Sequence, residues 1–315
     1  MKQQKTTIAV KRIAAYAAVY LLWGGVYLVI RVLVVRLPPF FTAAARYSLG
    51  ALCLLLVSFW RREALPNRRQ TMDAAWTGVM MLAVGFGVVF WAERQLASWV
   101  VAVMASTSTV WTYLGETLLV RSRQFDGRLL TVLVAGLGGV VLCAGITSAR
   151  GAGAWLAPAI VLLGAMCWAA GSLSVKHLDM PPSYIQSAMI QLGASGLMLM
   201  AVSFLSGEWK QIPPWHELVT TRLLGAMAYL VVAASVLAFT AYHWLLQREP
   251  ASMVATCTYV NPVVAMLLGI VVAGEAFSTE QLLGTAVILI SVFTTWRLHA
   301  GAGSAVIEPA PAMQE

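Results

Sequence analysis

Apolar residues in this chain fall in long runs, not at the spaced positions of an amphipathic helix or the alternate positions of a half-buried strand. A helix needs roughly 20 mostly apolar residues to cross a hydrocarbon core. Ten runs come close to or exceed that length: 13–35, 40–59, 73–92, 97–119, 129–147, 154–175, 183–205, 222–246, 251–274 and 281–298. The connections between them are short. The pattern predicts an all-α integral membrane protein with ten transmembrane helices. Lys2, Lys5, Lys11 and Arg12 ahead of the first run resemble the start of a signal sequence. That run outlasts a signal h-region of roughly 7–15 residues, so it reads as the first span behind a short N-terminal segment, 1–12. Beyond the last span, 299–315 reads as a disordered tail.

Lys and Arg fix the expected orientation. With the N-terminus inside, the inner loops carry 14 basic residues, among them Arg61, Arg62, Arg68, Arg69, Arg128, Lys176 and Arg248. The outer loops carry 5: Arg36, Arg94, Arg150, Lys210 and Arg222. Arg31 and Arg46 remain in the membrane. Both termini are therefore expected in the cytoplasm of a bacterial-type inner membrane.

The chain repeats itself. Trp23 leads to Pro38-Pro39 and then Gly50; Trp168 leads to Pro181-Pro182 and then Gly193; each Gly lies eleven residues past the second Pro. Ala97-Ser98 opens the fourth span, and Ala251-Ser252 opens the ninth. Two five-helix repeats follow, 13–147 and 154–298. Five is odd, so the second copy enters the membrane in the opposite sense. Such inverted repeats place a substrate site near the midplane between the halves.

Composition narrows the function. The chain is 60% hydrophobic and 11% charged, too few charges to solvate a soluble protein of 315 residues. Its formal net charge of +8 is spread over the connections and makes no stripe for nucleic acid. The four cysteines all lie inside apolar runs without a CxxC pair, which argues against disulfide and zinc frameworks. GxSxG, HExxH and a Walker A loop are absent, so neither an intramembrane enzyme nor direct drive by ATP is indicated. No filter-like repeat or ring of charges marks a channel. A transporter without cofactor or metal is the expectation, as a monomer or homodimer in the lipid bilayer.

Several stretches carry a resemblance: LLWGGVYLVIR, LPPFFTAAARYSLGALCLLL, MLAVGFGVVFWAE, CWAAGSLSV and TYVNPVVAMLLGIVVAGE. In order and spacing, across nearly the whole chain, they resemble the EamA branch of the drug/metabolite transporter superfamily. The resemblance implies ten helices and movement of small metabolites, often outward. The chain departs from that pattern at Thr109, where the first repeat is expected to have a proline, at Ser122 in place of a glutamate, and at Phe86 in place of an asparagine.

Helix rise of about 1.5 Å per residue places side chains by depth. Trp23, Tyr27, Trp111, Trp168, Tyr259, Asn261 and Pro262 fall near mid-span and are the candidate substrate-binding residues. The tryptophans and Tyr259 line a cavity or simply pack. Asn261 contacts a ligand or bonds a neighbouring helix. Pro262 frees a carbonyl that must face protein or a wet cavity. An aromatic lining suits an amphipathic substrate, an amino acid, related metabolite or drug.

Charges within spans are candidates for gating or coupling. Arg31, Arg46 and Glu93 converge on the outer half of the expected bilayer, where Glu93 is expected to pair with Arg46 or Arg31; snorkelling to headgroups is the alternative. Glu116, Tyr242 and His243 are expected near the inner face. His243 either links transport to protons or is a partnered core histidine.

Overall fold

The computed structural model describes residues 2–96, 98–122, 124–144, 156–261, 263–264 and 278–302, and all regular structure among them is helical. Seven helical runs are long and apolar enough to cross a membrane: Val10–Val34, Pro39–Trp60, Arg68–Ala92, Leu156–Ser174, Tyr184–Leu205, Thr221–Leu246 and Thr279–His299. Gly127–Leu142 is a shorter apolar helix.

In chain order, α1 (Lys2–Gly24) and α2 (Val26–Val34) are parted at Gly25. α3 (Pro39–Trp60) starts at the first Pro-Pro pair, with Pro39 in the first turn, where its missing N–H costs nothing. α4 (Arg68–Gly78) opens on a capping box: the Asn67 side chain accepts from the Gln70 N–H at 2.8 Å, and Gln70 Oε1 accepts from the Asn67 N–H at 3.1 Å. A π segment, Val79–Phe86, then joins α4 to α5 (Gly87–Ala92). α6 (Ser98–Ser106) and α7 (Ser108–Leu114) are parted at Thr107, and a π turn at Gly115–Leu119 follows. α8 (Gly127–Ala144) completes the first half.

The second half begins with α9 (Leu156–Ser174) and α10 (Tyr184–Leu205), the latter capped by Ser183. A short α11 (Trp215–Leu218) precedes α12 (Thr221–Ala228), which Thr220 caps. A second π segment, Tyr229–Ala238, leads into α13 (Phe239–Leu246). α14 (Ala251–Ala255) stops at a turn on Thr256, and the helix resumes at 257–261. α15 (Thr279–Ala302) is the last element.

Two expectations change. The runs 97–119 and 251–274 are not smooth helices where described: the first breaks at Thr107 and the second at Thr256. The final helix extends to Ala302, past the expected end at 298. His299 is buried on it, with Nδ1 2.8 Å from the Thr295 carbonyl and Nε2 3.4 Å from Ser252 Oγ. A helical backbone satisfies its own polar groups, so the turn continues while a side chain such as His299 finds partners. Residues 303–315 of the expected tail, and Pro262, lie outside the described residues.

α3 packs along α10, and α8 along α15. The Val79–Phe86 segment packs on α9, α1 on α13, and α7 on α14. Glycine permits the closest approach. A Cβ on Gly139 would lie 2.9 Å from the Gly284 carbonyl and 3.0 Å from the Ile288 N–H nitrogen. The outer surface carries Leu56, Trp60, Leu197, Phe204, Leu205 and Ile290, large apolar side chains that a bilayer, not water, solvates.

Contacts separate the two ends of the bundle. At one end Arg12 pairs with Glu249 at 3.4 Å, Lys176 Nζ donates to the Glu249 carbonyl, and the Asp179 N–H donates to Asp73 at 3.0 Å. At the other, Glu208 accepts the Phe40 and Phe41 N–H groups at 3.3 and 2.8 Å, covering the donors that open α3.

Candidate functional site

The helix breaks sit around a cavity. Its aromatic wall is built from both halves. Trp23 meets Trp168 edge-on at 5.7 Å and Tyr242 at 5.1 Å; Phe86 lies 5.8 Å from Trp168 and 6.0 Å from Tyr27. The Trp23 indole N–H donates at 3.0 Å to the Ala234 carbonyl, inside the second π segment. Ser172 and Tyr242 share a hydrogen bond at 2.9 Å beside this cluster. The space open to the centres of water molecules is about 50 Å³.

The polar part of the lining is small and specific. Arg46 is 4% exposed and lines the cavity. Its Nε donates to Ser235 Oγ at 3.0 Å, and that hydroxyl in turn donates to the Leu230 carbonyl at 2.9 Å. The guanidinium lies over the rings of Tyr47, Phe86 and Phe90 at 5.2, 5.8 and 5.8 Å. Ser108, Thr258 and Asn261 complete the lining from the two broken helices. Those helices are bonded where they cross. Ser106 Oγ donates to the Thr258 carbonyl at 2.8 Å, Thr109 Oγ1 donates to the Ala255 carbonyl at 2.8 Å, and Thr109 and Thr258 share a bond at 2.8 Å. Threonine at 109, where a proline is expected, thus supplies a donor between helices.

Of the candidate binding residues, Trp23, Tyr27, Trp168 and Asn261 line the cavity. Trp111 and Tyr259 do not. Trp111 is 37% exposed on the outside of α7. Tyr259 donates to the Leu133 carbonyl at 2.8 Å and packs in a second apolar cluster with Tyr113, Leu129 and Ile288. Depth alone brought these two in; the helical face they occupy turns them away. Pro262 is outside the described residues.

The charged candidates are rearranged. Glu93 pairs with neither guanidinium in this conformation. Its Oε2 accepts from Ser98 Oγ at 2.6 Å, and Oε1 has no partner among the described residues. Arg31 does meet Glu93, but through the backbone: Nη1 donates to the Glu93 carbonyl, and to that of Leu96 at 3.1 Å, satisfying orphan groups at the end of α5. Arg46 turns inward to the aromatic rings instead of outward. Glu116 is a helix cap. Its carboxylate accepts from the Ala251 N–H at 2.6 Å and from Ser252 Oγ at 2.5 Å. Tyr242 lies against Trp23 and Trp168, beside the cavity. His243 is fully buried, 4.7 Å from the Phe239 ring, and neither ring nitrogen has a partner among the described residues.

The residues that sequence reasoning passed over are Tyr47, Phe86, Ser108, Ser235 and Thr258. Phe86 was visible only as a departure from a family pattern. Single hydroxyl residues within apolar spans carry almost no signal, because most of them bond back to their own helix. No cluster of three or more His, Cys, Asp or Glu able to hold a metal occurs among the described residues.

An all-helical bundle with a large apolar surface and a small chamber between its halves defines a class: polytopic membrane proteins. The sequence matches the EamA-like transporter family twice, over residues 12–145 and 155–297, and the chain belongs to that family. It is 32% identical over 284 residues to the Escherichia coli (strain K12) protein named as an uncharacterized inner membrane transporter, YedA, with 88% of each chain covered. It is 21% identical to the transporter YoaV of Bacillus subtilis (strain 168), over 90% of this chain and 96% of the other. One crystal structure superposes with a TM-score of 0.76 at 17% identity, over 92% of this chain and 99% of that one, a likeness of fold.

Proposed function

We propose that this chain is a secondary transporter of the inner membrane that exports small amphipathic metabolites by alternating access, with the aromatic chamber as its binding site. The observation that carries the reading is the composition of that chamber: residues of both halves meet there, each half brings interrupted helices to it, and the polar groups that line it are few and convergent. Broken helices at membrane depth expose backbone polar groups, which are tolerated where they are covered by protein or line a wet cavity. Space for only a few waters means that the helices must part for a metabolite to enter.

Ten spans in two inverted five-helix repeats account for the packing. Under that pairing, α3 with α10, α8 with α15 and α7 with α14 are each self-matched, while α1 on α13 corresponds to α9 on the Val79–Phe86 segment. The two long π segments also fall on matched spans. The excess of Lys and Arg in one set of loops supports cytoplasmic termini.

Purified protein in proteoliposomes loaded with amino acids and other small amphipathic metabolites tests the reading. Flux of at least one of them above protein-free vesicles is expected. Trp23→Ala and Asn261→Ala should each lower it about tenfold or more, the scale of one lost well-formed contact, with membrane insertion unchanged. Absence of flux across the panel, or full flux in both variants, refutes the assignment.

A further inference from the structure

Arg46 is a permanent charge at the wall of a chamber otherwise lined by neutral side chains. Its Nε is held by Ser235, and its Nη1, fully buried, has no partner among the described residues. The ion pairs found join Arg12 to Glu249, Arg61 to Glu63 and Arg69 to Asp73; Arg46 is in none. Aromatic faces offset part of the cost of burying a guanidinium but accept no N–H in the geometry of a carboxylate. An intramembrane cation left in this state calls for an anion.

We propose that this anion is the substrate: the chamber takes amphipathic compounds bearing a carboxylate, which Arg46 binds through its free edge. The Tyr47 hydroxyl, also buried without a partner among the described residues, belongs to a ring that the guanidinium overlies and would donate to the same carboxylate. The apolar body of the substrate rests on Trp23, Trp168 and Phe86. The Asn261 Oδ1, buried and without a partner among the described residues, accepts a hydrogen bond from an N–H or ammonium elsewhere on the molecule. Ser235 is a positioning residue: it fixes the guanidinium by accepting from Nε while anchored to the Leu230 carbonyl. The substrate class deepens the transporter reading and rests on it for its physiological meaning, but binding can be measured without flux.

The test uses the full-length protein in nanodiscs and three isosteric probes: 3-phenylpropanoate, 3-phenylpropanamide and 3-phenylpropylamine. Phenylalanine is the fourth, adding the ammonium that Asn261 would accept from. Binding is read as thermal stabilisation against probe concentration, at low salt and at 0.5 M salt, roughly the range over which exposed charges become screened. The acid is expected to bind about tenfold or more tighter than the amide, with the amine weakest, since a charge-assisted bond replaces a neutral one. High salt should leave that ratio within about twofold, because a buried pair is screened little. Arg46→Gln should erase the preference for the acid over the amide, and Arg46→Lys should keep part of it, with both variants monodisperse by size exclusion. Equal binding of acid and amide to the unaltered protein, no binding of either acid, or a preference that survives Arg46→Gln would overturn the proposal. The unaltered protein decides the first two outcomes even if a variant fails to fold. Counterflow of any probe in proteoliposomes without preference for the acid would sink the role of Arg46 and leave the transporter reading standing.

Discussion

Glu116 shows how differently one charged side chain reads in sequence and in space. Within an apolar run it looks like a coupling group. In the fold its two carboxylate oxygens take the Ala251 N–H and the Ser252 hydroxyl, at the start of α14. An acidic group at a helix N-terminus satisfies orphan donors and meets the positive end of the helix dipole. Glu116→Ala should therefore destabilise the protein by about 1–3 kcal/mol, the cost of a lost cap and unsatisfied buried donors. Glu116→Gln, which retains one acceptor, should lose less. Thermal unfolding in detergent checks the order, and equal loss in both would place the effect elsewhere. The same lesson holds for Arg46 and Glu93. The direction of a side chain around the helix was not legible, because nearly every face of these helices is apolar. Trp23 and Trp168 were found because their size and the repeat marked them. Ser235 and Tyr47 were not, because nothing distinguishes them until another helix brings Arg46 alongside.

At the scale of elements, the apolar run 40–59 matched its helix closely, whereas the run 73–92 missed the polar first turn of α4, which begins at Arg68. Pro38-Pro39 opens α3, and Asn67 opens α4. The interruptions were illegible. Thr107 and Thr256 stand in apolar surroundings, and at each turn the threonine hydroxyl donates at 2.6 Å to the carbonyl three residues back, Met104 and Met253, while further hydroxyl bonds join the two broken helices. Neighbouring glycines of α8 take distinct parts in the fold. Gly139 meets the backbone of α15, whereas a Cβ on Gly138 would meet nothing within 4 Å. Gly139→Leu is expected to separate α8 from α15 and to cost about 1–3 kcal/mol or more by overpacking. Gly138→Leu should leave the melting temperature nearly unchanged. A matched fall in both variants would mean that helix propensity or insertion, not the contact with α15, decides.

For the whole molecule, the arrangement of loops is the quantity that sequence gives most directly, since basic residues are counted, not folded. The contacts agree that the connections near Arg12, Asp73, Lys176 and Glu249 share an end, and that Phe40 and Glu208 share the other. Reporter fusions after Arg69 and after Lys176 should accordingly be active only as cytoplasmic markers, and a fusion after Lys210 only as an external one. A cytoplasmic signal at Lys210 together with one at Lys176 would remove a span and with it the inverted pairing.

The π segment Tyr229–Ala238 fixes more than a local shape. An α-helix turns about 100° for each residue, so a stretch wound more loosely offsets everything after it by a fraction of a turn. Ser235 lies inside that stretch, and Phe239 and Tyr242 lie just past it; the winding is what lets one helix show all three, together with the Ala234 carbonyl, to Trp23 and Arg46. Removing a single residue between 229 and 234 would let the segment close into ordinary α-helix without breaking the span. The downstream half would keep its present face, because the loose winding takes up about one residue's worth of rotation; tightening the ten residues without a deletion is what would carry Tyr242 off the aromatic wall and present the chamber with a different row of side chains. In this architecture a one-residue gap is absorbed by the winding, so relatives that differ in length within this stretch should be compared by the face they present and not by the letters they align.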